Sequence, residues 1–246
     1  MILNIISQFG FYSRTSYSLQ VHPTVEAFKH VYAVRMNLGD PDFVNVSSVV
    51  SNMLSPEFAA RITSPKWNQA HDHGTTHLCV VDSAQNVVSM NTSPNDYYGS
   101  RFQSQSTGIV LNNEMGDFSG PRSFSPPPAP SNYIQPFKRA LPSMTPTIVL
   151  KGKKLKKVLG GAGGINMTTF LLQRLINSQC TVLWTSSLGD QYAVIVNAQE
   201  EGQCHALHSV DGRTICQLVA RKLEGPNSGM LVAANDLREG GFPAGY

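Results

Sequence analysis

Gly74-Thr75-Thr76-His77-Leu78-Cys79-Val80-Val81-Asp82 decides how this chain is read. A glycine precedes a small hydroxyl residue, which opens a run that alternates like a buried strand. A threonine hydroxyl is a weak nucleophile unless a base lies within hydrogen-bond reach. Scission of the chain before the threonine supplies one, because the new α-amino group can take the hydroxyl proton. That amine titrates at about 7.7–8.0, so it is available as a base near neutrality. The same residues also suit a turn glycine followed by a hydroxyl-rich strand, and the tripeptide alone does not separate the two.

Working outward, the segment before this stretch reads as helical. Val25, Phe28, Val31, Tyr32 and Met36 keep the helical period, and Pro23-Thr24 predicts a start with Thr24 as N-cap. Leu38-Gly39-Asp40-Pro41 reads as a turn, 49–54 and 57–62 as short helices, and 64–74 as an exposed linker. After the stretch the pattern turns to β. Strands are predicted at 77–81 and 86–90 around the loop Asp82-Ser83-Ala84-Gln85, and a third at 108–111. The proline-rich 121–131 predicts an irregular surface segment. A hairpin is expected from 147–151 and 156–159, and a helix over 168–177. Between them, Gly160-Gly161-Ala162-Gly163-Gly164 lacks the spacing of a phosphate-binding loop. It suits a tight turn, or an oxyanion hole if a nucleophile lies nearby.

Composition narrows the class. The chain has 246 residues, enough for one sizeable core or two smaller ones, and its net charge is only +3. The basic run Lys151-Gly152-Lys153-Lys154-Leu155-Lys156-Lys157 reads as a solvated hairpin turn rather than a nucleic-acid surface, since neither arginine nor aromatics interleave it. Cys79, Cys180, Cys204 and Cys216 form no CxxC pair, which argues against a zinc ribbon or redox motif. His71-Asp72-His73 with His77 offers ligand chemistry without a helical metal-binding spacing, so no metal is expected. Three glycosylation acceptors begin at Asn45, Asn91 and Asn166. The sequence shows no signal-peptide core after Met1 and no apolar run of transmembrane length.

Several blocks recur in one order: Val25-Glu26-Ala27-Phe28, Leu38-Gly39-Asp40-Pro41, the Thr75 strand, Asn112-Asn113-Glu114-Met115-Gly116-Asp117-Phe118-Ser119, Leu141-Pro142-Ser143-Met144-Thr145-Pro146-Thr147, the glycine run and the closing Asp236–Tyr246. Together they resemble the γ-glutamyltransferase (glutathione hydrolase) family of N-terminal-nucleophile hydrolases. The resemblance implies an α+β fold, the αββα four-layer sandwich, here incomplete. Residues 1–74 would match the end of the family's large subunit and its linker, and 75–246 the small catalytic subunit, with 171–225 following it poorly.

The resemblance also implies roles. Thr75 would be the nucleophile, both for cleavage after Gly74 and for acyl transfer. Ser93 falls where the family places a second threonine that bonds the nucleophile. Asn95, Glu114 and Asp117 would hold the α-ammonium of a γ-glutamyl substrate, Ser143 its α-carboxylate, and Gly163 and Gly164 the oxyanion. The substrates implied are glutathione and γ-glutamyl peptides, with water, an amino acid or a dipeptide as acceptor. No cofactor is needed, and a large-subunit-like chain would be the partner. Family members lie outside the cell or on the plasma membrane's outer face. The sequence departs from the pattern at Pro142, where the family has the first serine of a pair. Most of the large-subunit part, with its carboxylate-binding arginine, is not matched. Two other expectations therefore stand beside the enzyme: an inactive light-chain-like product that binds other chains, and an amidase of altered substrate choice.

Overall fold

The computed structural model describes residues 1–8, 18–61, 66–67, 74–120, 127–164, 167, 215–222, 225–226, 228–235 and 243–245, without the side chains of 18–23. These residues fall into two units. The first takes in the described parts of Met1–His71 and Asp117–Leu141, the second those of Asp72–Gly116, Pro142–Trp184 and Asp211–Tyr246. The helix expected over 168–177, the linker histidines His71 and His73, and Cys180 and Cys204 lie outside the described residues.

The first unit is helical. Helix α1 (Ile2–Gln8) buries Ile2, Ile5 and Ile6, the i, i+3, i+4 stripe of an amphipathic turn. Asn4 Nδ2 donates to Leu54 O at 2.9 Å and Gln8 Nε2 to Pro56 O at 3.2 Å, tying α1 to the end of α3 (Ser47–Leu54) and the start of α4 (Pro56–Ala59). Ser55 caps α4 by accepting from Phe58 N at 3.1 Å. Helix α2 (Ser18–Arg35) buries Ala27, Phe28, Val31, Ala33 and Val34, with Met36 just beyond its end.

The start expected at Thr24 is corrected, because α2 begins at Ser18 and runs through Pro23. Proline removes one backbone bond from a helix but does not end it where the later turns are anchored by burial. The other helices are also re-bounded. The third is a single turn at 56–59, since Ser55 and Pro56 set its start one residue earlier than the apolar spacing suggests.

A loop segment completes this unit around two polar knots. Asn132 is fully buried; its Nδ2 donates to Asp117 O at 2.8 Å and its Oδ1 accepts from Leu141 N at 3.0 Å. Asp40 is buried and accepts from Arg139 through backbone N at 2.8 Å, Nε at 3.0 Å and a terminal guanidinium nitrogen at 2.6 Å. That guanidinium holds the Asp40 carboxyl far below the usual carboxylate range.

The second unit is β. Strands β1 (Gly74–Val81) and β2 (Val87–Asn95) form an antiparallel pair closed by the expected turn, where Asp82 Oδ1 accepts from Asn86 N at 2.8 Å. Strands β3 (Thr147–Lys151), β4 (Lys154–Ala162), β5 (Ile215–Arg221) and β6 (Leu231–Asn235) form an antiparallel sheet in that order. The basic run is the β3–β4 turn, with Gly152 at φ +61°. Gly160, Gly161 and Ala162 belong to β4, so only Gly163 and Gly164 form the turn that the glycine run predicts. The strand expected at 108–111 is reduced to one bridge, Gln103 to Val110. Leu159 and Met167 form a small core with Val149, Cys216 and Leu218. The two sheets stack on one another. With helices in one unit and antiparallel sheets in the other, the chain is α+β.

The Asp40 knot yields a pH signature. A carboxyl whose folded pKa is depressed stabilises fully above its unfolded value of about 3.9, and that contribution is lost as the pH falls below it. Asp40→Asn therefore lowers Tm by a constant amount from neutrality to about pH 5 and by less in stronger acid. Thermal melts of both proteins from pH 7 to 3 check this; a gap that stays constant throughout excludes the ion pair as its source.

Candidate active site

Every second residue of β1 and β2 faces the larger sheet, and beyond the Val81–Val87 pair at the turn the side chains on that face are polar. Thr75 and His77 are buried and Cys79 half-buried on β1, opposite the half-buried Ser89, Asn91 and Ser93 on β2. The other face is apolar yet open to solvent, with Val80 53% and Val88 51% exposed beside Leu78 and Met90. Strand alternation normally puts apolar residues inward. The inversion shows that the seam between the sheets is built to hold polar chemistry.

Buried polar groups need partners, and here they reach across the seam. Ser89 Oγ donates to Leu159 O at 3.3 Å, and Asn91 Nδ2 to Gly161 O at 2.8 Å. The step of two residues along β2, from Ser89 to Asn91, is a step of two along β4, from Leu159 to Gly161. The His77 ring lies so close over Gly160 that a Cβ there would fall on it. His77 Nδ1 is 3.2 Å from Asn91 Oδ1, and its Nε2 is 3.0 Å from Cys79 Sγ. Burial pushes the His77 pKa below its ordinary value and the Cys79 thiol up to about 11, so both side chains are neutral near pH 7.

Thr75 sits at an irregularity in the β1–β2 register, between the pairs Gly74–Asn95 and Thr76–Thr92. Ser93 Oγ donates to the Gly74 carbonyl oxygen at 3.3 Å, on the peptide bond that precedes Thr75. Gly74 is fixed as glycine by close approach, since a Cβ there would lie 2.7 Å from Asn95 O. Asn95 ends β2 at φ +73°, a left-handed conformation that asparagine tolerates. Its Nδ2 donates to Asn113 O at 3.0 Å. Asn113 is held in turn by Asp96, whose Oδ2 accepts from Asn113 Nδ2 at 2.8 Å. Asn95 Oδ1 and Glu114 Oε2 are buried without a hydrogen-bond partner among the described residues. Two unfilled acceptors in one loop system are suited to a donor-rich cation.

Gly163 and Gly164, at φ +132° and +59°, form the turn that leaves β4. The register sets Thr147 opposite Leu159, so the segment carrying the buried Ser143 enters β3 at the end of the sheet where β4 leads into Gly163. Thr75, Ser93, Asn95, Gly163 and the approach from Ser143 therefore share one end of the second unit. Asp117 is buried and closes the one-turn helix Glu114–Asp117, but it belongs to the first unit. Among the described residues no cluster of metal-ligating side chains occurs. No described helix is long and apolar enough to cross a membrane. Sequence reasoning missed Ser89 and Asn91 and took His77 only as an outlying metal candidate. Their signal was there: polar residues at 75, 77 and 79 and at 89, 91, 93 and 95 repeat with the strand period.

The profile of gamma-glutamyltranspeptidase matches residues 1–205. Glutathione hydrolase 2 of Arabidopsis thaliana is 42% identical over 294 aligned positions, covering 100% of this chain and 51% of that protein. This chain thus spans about half the length of that relative. Another Arabidopsis thaliana relative, whose name carries the words inactive glutathione hydrolase 4, is 51% identical over 149 positions, 53% of this chain and 78% of that protein. Among solved structures, an acivicin-inhibited gamma-glutamyltranspeptidase superposes with a TM-score of 0.54 at 27% identity, covering 67% of this chain and 98% of that one.

The Gly74 contact predicts a stability effect. Gly74→Ala forces the Asn95 backbone to shift and costs about 1–3 kcal/mol, the usual range for overpacking. A urea titration checks it. An unchanged midpoint would mean the β1–β2 pair opens freely at this end.

Proposed function

Since the chain belongs to the gamma-glutamyltranspeptidase family, we propose that it acts as a γ-glutamyl hydrolase and transferase whose nucleophile is Thr75, released by scission of its own Gly74–Thr75 bond. One observation carries the reading: the Ser93 hydroxyl donates to the carbonyl of that very bond. A hydrogen bond there draws electron density from the carbonyl carbon and favours attack on it.

Self-cleavage then proceeds in two steps. Thr75 Oγ attacks the Gly74 carbonyl carbon, the C–N bond breaks, and the hydroxyl proton passes to the departing nitrogen. Water hydrolyses the resulting ester, leaving a Gly74 carboxylate and a free Thr75 amine and hydroxyl. In turnover that amine takes the hydroxyl proton as Thr75 attacks the γ-amide carbon of glutathione or another γ-glutamyl compound. The Gly163 and Gly164 amides hold the oxyanion, and the substrate's amine leaves with a proton. Water, an amino acid or a dipeptide then takes the γ-glutamyl group from Thr75.

Asn95 and Glu114 hold the substrate's α-ammonium, and Ser143 its α-carboxylate. The buried acceptors on Asn95 and Glu114 support the first assignment. No step calls for a cofactor. In this reading the reaction takes place outside the cell or at the outer face of the plasma membrane.

A second reading has its own support. The open apolar face at Leu78, Val80, Val88 and Met90 suits a chain that associates with another, including a large-subunit-like one, and one relative is named inactive. Cleavage at Gly74 without turnover would favour that reading.

Intact-mass analysis after expression is expected to show two products split at Gly74–Thr75, and Thr75→Ala a single uncut chain. Release of amine from a γ-glutamyl anilide is expected from the cut protein only. A chain that folds yet stays whole overturns the reading. With an amine as base, kcat/KM of the cut protein should rise with pH through an ionisation near 7.7–8.0. A flat profile between pH 6.5 and 9 would argue for another base.

A further inference from the structure

We infer that Asn91 and His77 form a neutral strut that sets the spacing between the nucleophile strand and the Gly163–Gly164 turn. They are positioning residues for the reaction proposed above, and the inference rests on that reading.

The hydrogen-bond directions follow from donor arithmetic. Asn91 Nδ2 gives to Gly161 O at 2.8 Å and to Thr76 O at 3.4 Å. Those two bonds use both amide protons, so Asn91 Oδ1 accepts, and His77 Nδ1 must carry the proton it shares. His77 Nε2 is then the acceptor for the Cys79 thiol. The buried neutral forms of both side chains agree with this tautomer.

One asparagine therefore grips three pieces. It fixes the carbonyl of Thr76, next to the nucleophile. It fixes the carbonyl of Gly161, two residues before Gly163. It also fixes a ring that stands two residues from Thr75 and rests on Gly160. Gly160 and Gly161 cannot carry side chains, because a Cβ at 160 meets the ring and one at 161 meets the Ile215 carbonyl. The glycines thus let the strut sit close, and the strut sets the distance between hydroxyl and oxyanion amides.

Neither side chain belongs to the ammonium or carboxylate contacts assigned to Asn95, Glu114 and Ser143. Loss of the strut should then cost transition-state stabilisation and leave substrate capture intact. A displacement of about 1 Å between reacting groups can cost about 100-fold in rate.

The test compares the unmodified chain with Asn91→Ala, His77→Phe and His77→Asn. His77→Phe keeps a ring over Gly160 but cannot donate, and His77→Asn restores a donor near the Nδ1 position. Rates are divided by the fraction of free Thr75 amino termini, so that failed self-cleavage is not counted as slow turnover. Asn91→Ala and His77→Phe are expected to lower kcat about 10- to 100-fold with KM within about twofold, and His77→Asn to recover most of the loss. Unchanged kcat in His77→Phe, or a loss confined to KM, overturns the strut. If Asn91→Ala does not fold, the two His77 variants decide, with circular dichroism melts showing that both are folded. Absence of turnover in the unmodified chain sinks the proposed function instead, so the two failures read differently.

Discussion

The hydrogen bonds across the seam between the sheets constrain everything else in the second unit. Ser89 to Leu159 and Asn91 to Gly161 satisfy half-buried donors on the face between the sheets, each bond contributing about 0.5–1.5 kcal/mol. Only one alignment of the sheets satisfies both. A slip of one residue would turn each strand's inward set outward and break the two bonds together. The chemistry at the end of the seam inherits that alignment.

This is an unusual use of a sheet pair. Cores are normally apolar because buried polar groups are costly unless fully partnered. Here the inward residues of β1 and β2 are hydroxyls, amides, an imidazole and a thiol, with Val81 and Val87 only at the turn end, while Leu78, Val80, Val88 and Met90 face the other way. Fully partnered polar interiors specify geometry more sharply than apolar ones, since a hydrogen bond has direction and a methyl contact has little. A site that must align a hydroxyl, a scissile carbonyl and a pair of glycine amides gains from that directionality.

Much of this was legible in the sequence and some was not. The helix at Val25–Met36, the hairpin around Asp82 and the lysine turn at Gly152 follow from apolar period and turn chemistry, and the structure contains all three. The true start of α2 was hidden, because Pro23 reads as a boundary on local grounds. The strand at 108–111 was over-read: Ile109, Val110 and Leu111 look like a strand, yet they fold back on 100–104 through loop hydrogen bonds and one bridge, Gln103 to Val110. At the candidate site, Thr75 and Ser93 could be picked out as residues, but not that the Ser93 hydroxyl meets the Gly74 carbonyl. That contact depends on a register irregularity between Gly74 and Thr76, which is set by pairing and not by composition. The part played by Asn91 was equally hidden, since in sequence it resembles a glycosylation acceptor and in the fold it lies between sheets.

The outer face of the β1–β2 pair has a consequence for how this molecule behaves as a material. Leu78, Val80, Val88 and Met90 keep much of their surface in water, so burial energy available to the folded form is left unused. A surface shaped to the folded arrangement of these side chains, and so binding the folded chain better than the unfolded one, adds to its stability. The melting temperature is then a property of the mixture, rising with the concentration of such a complementary surface.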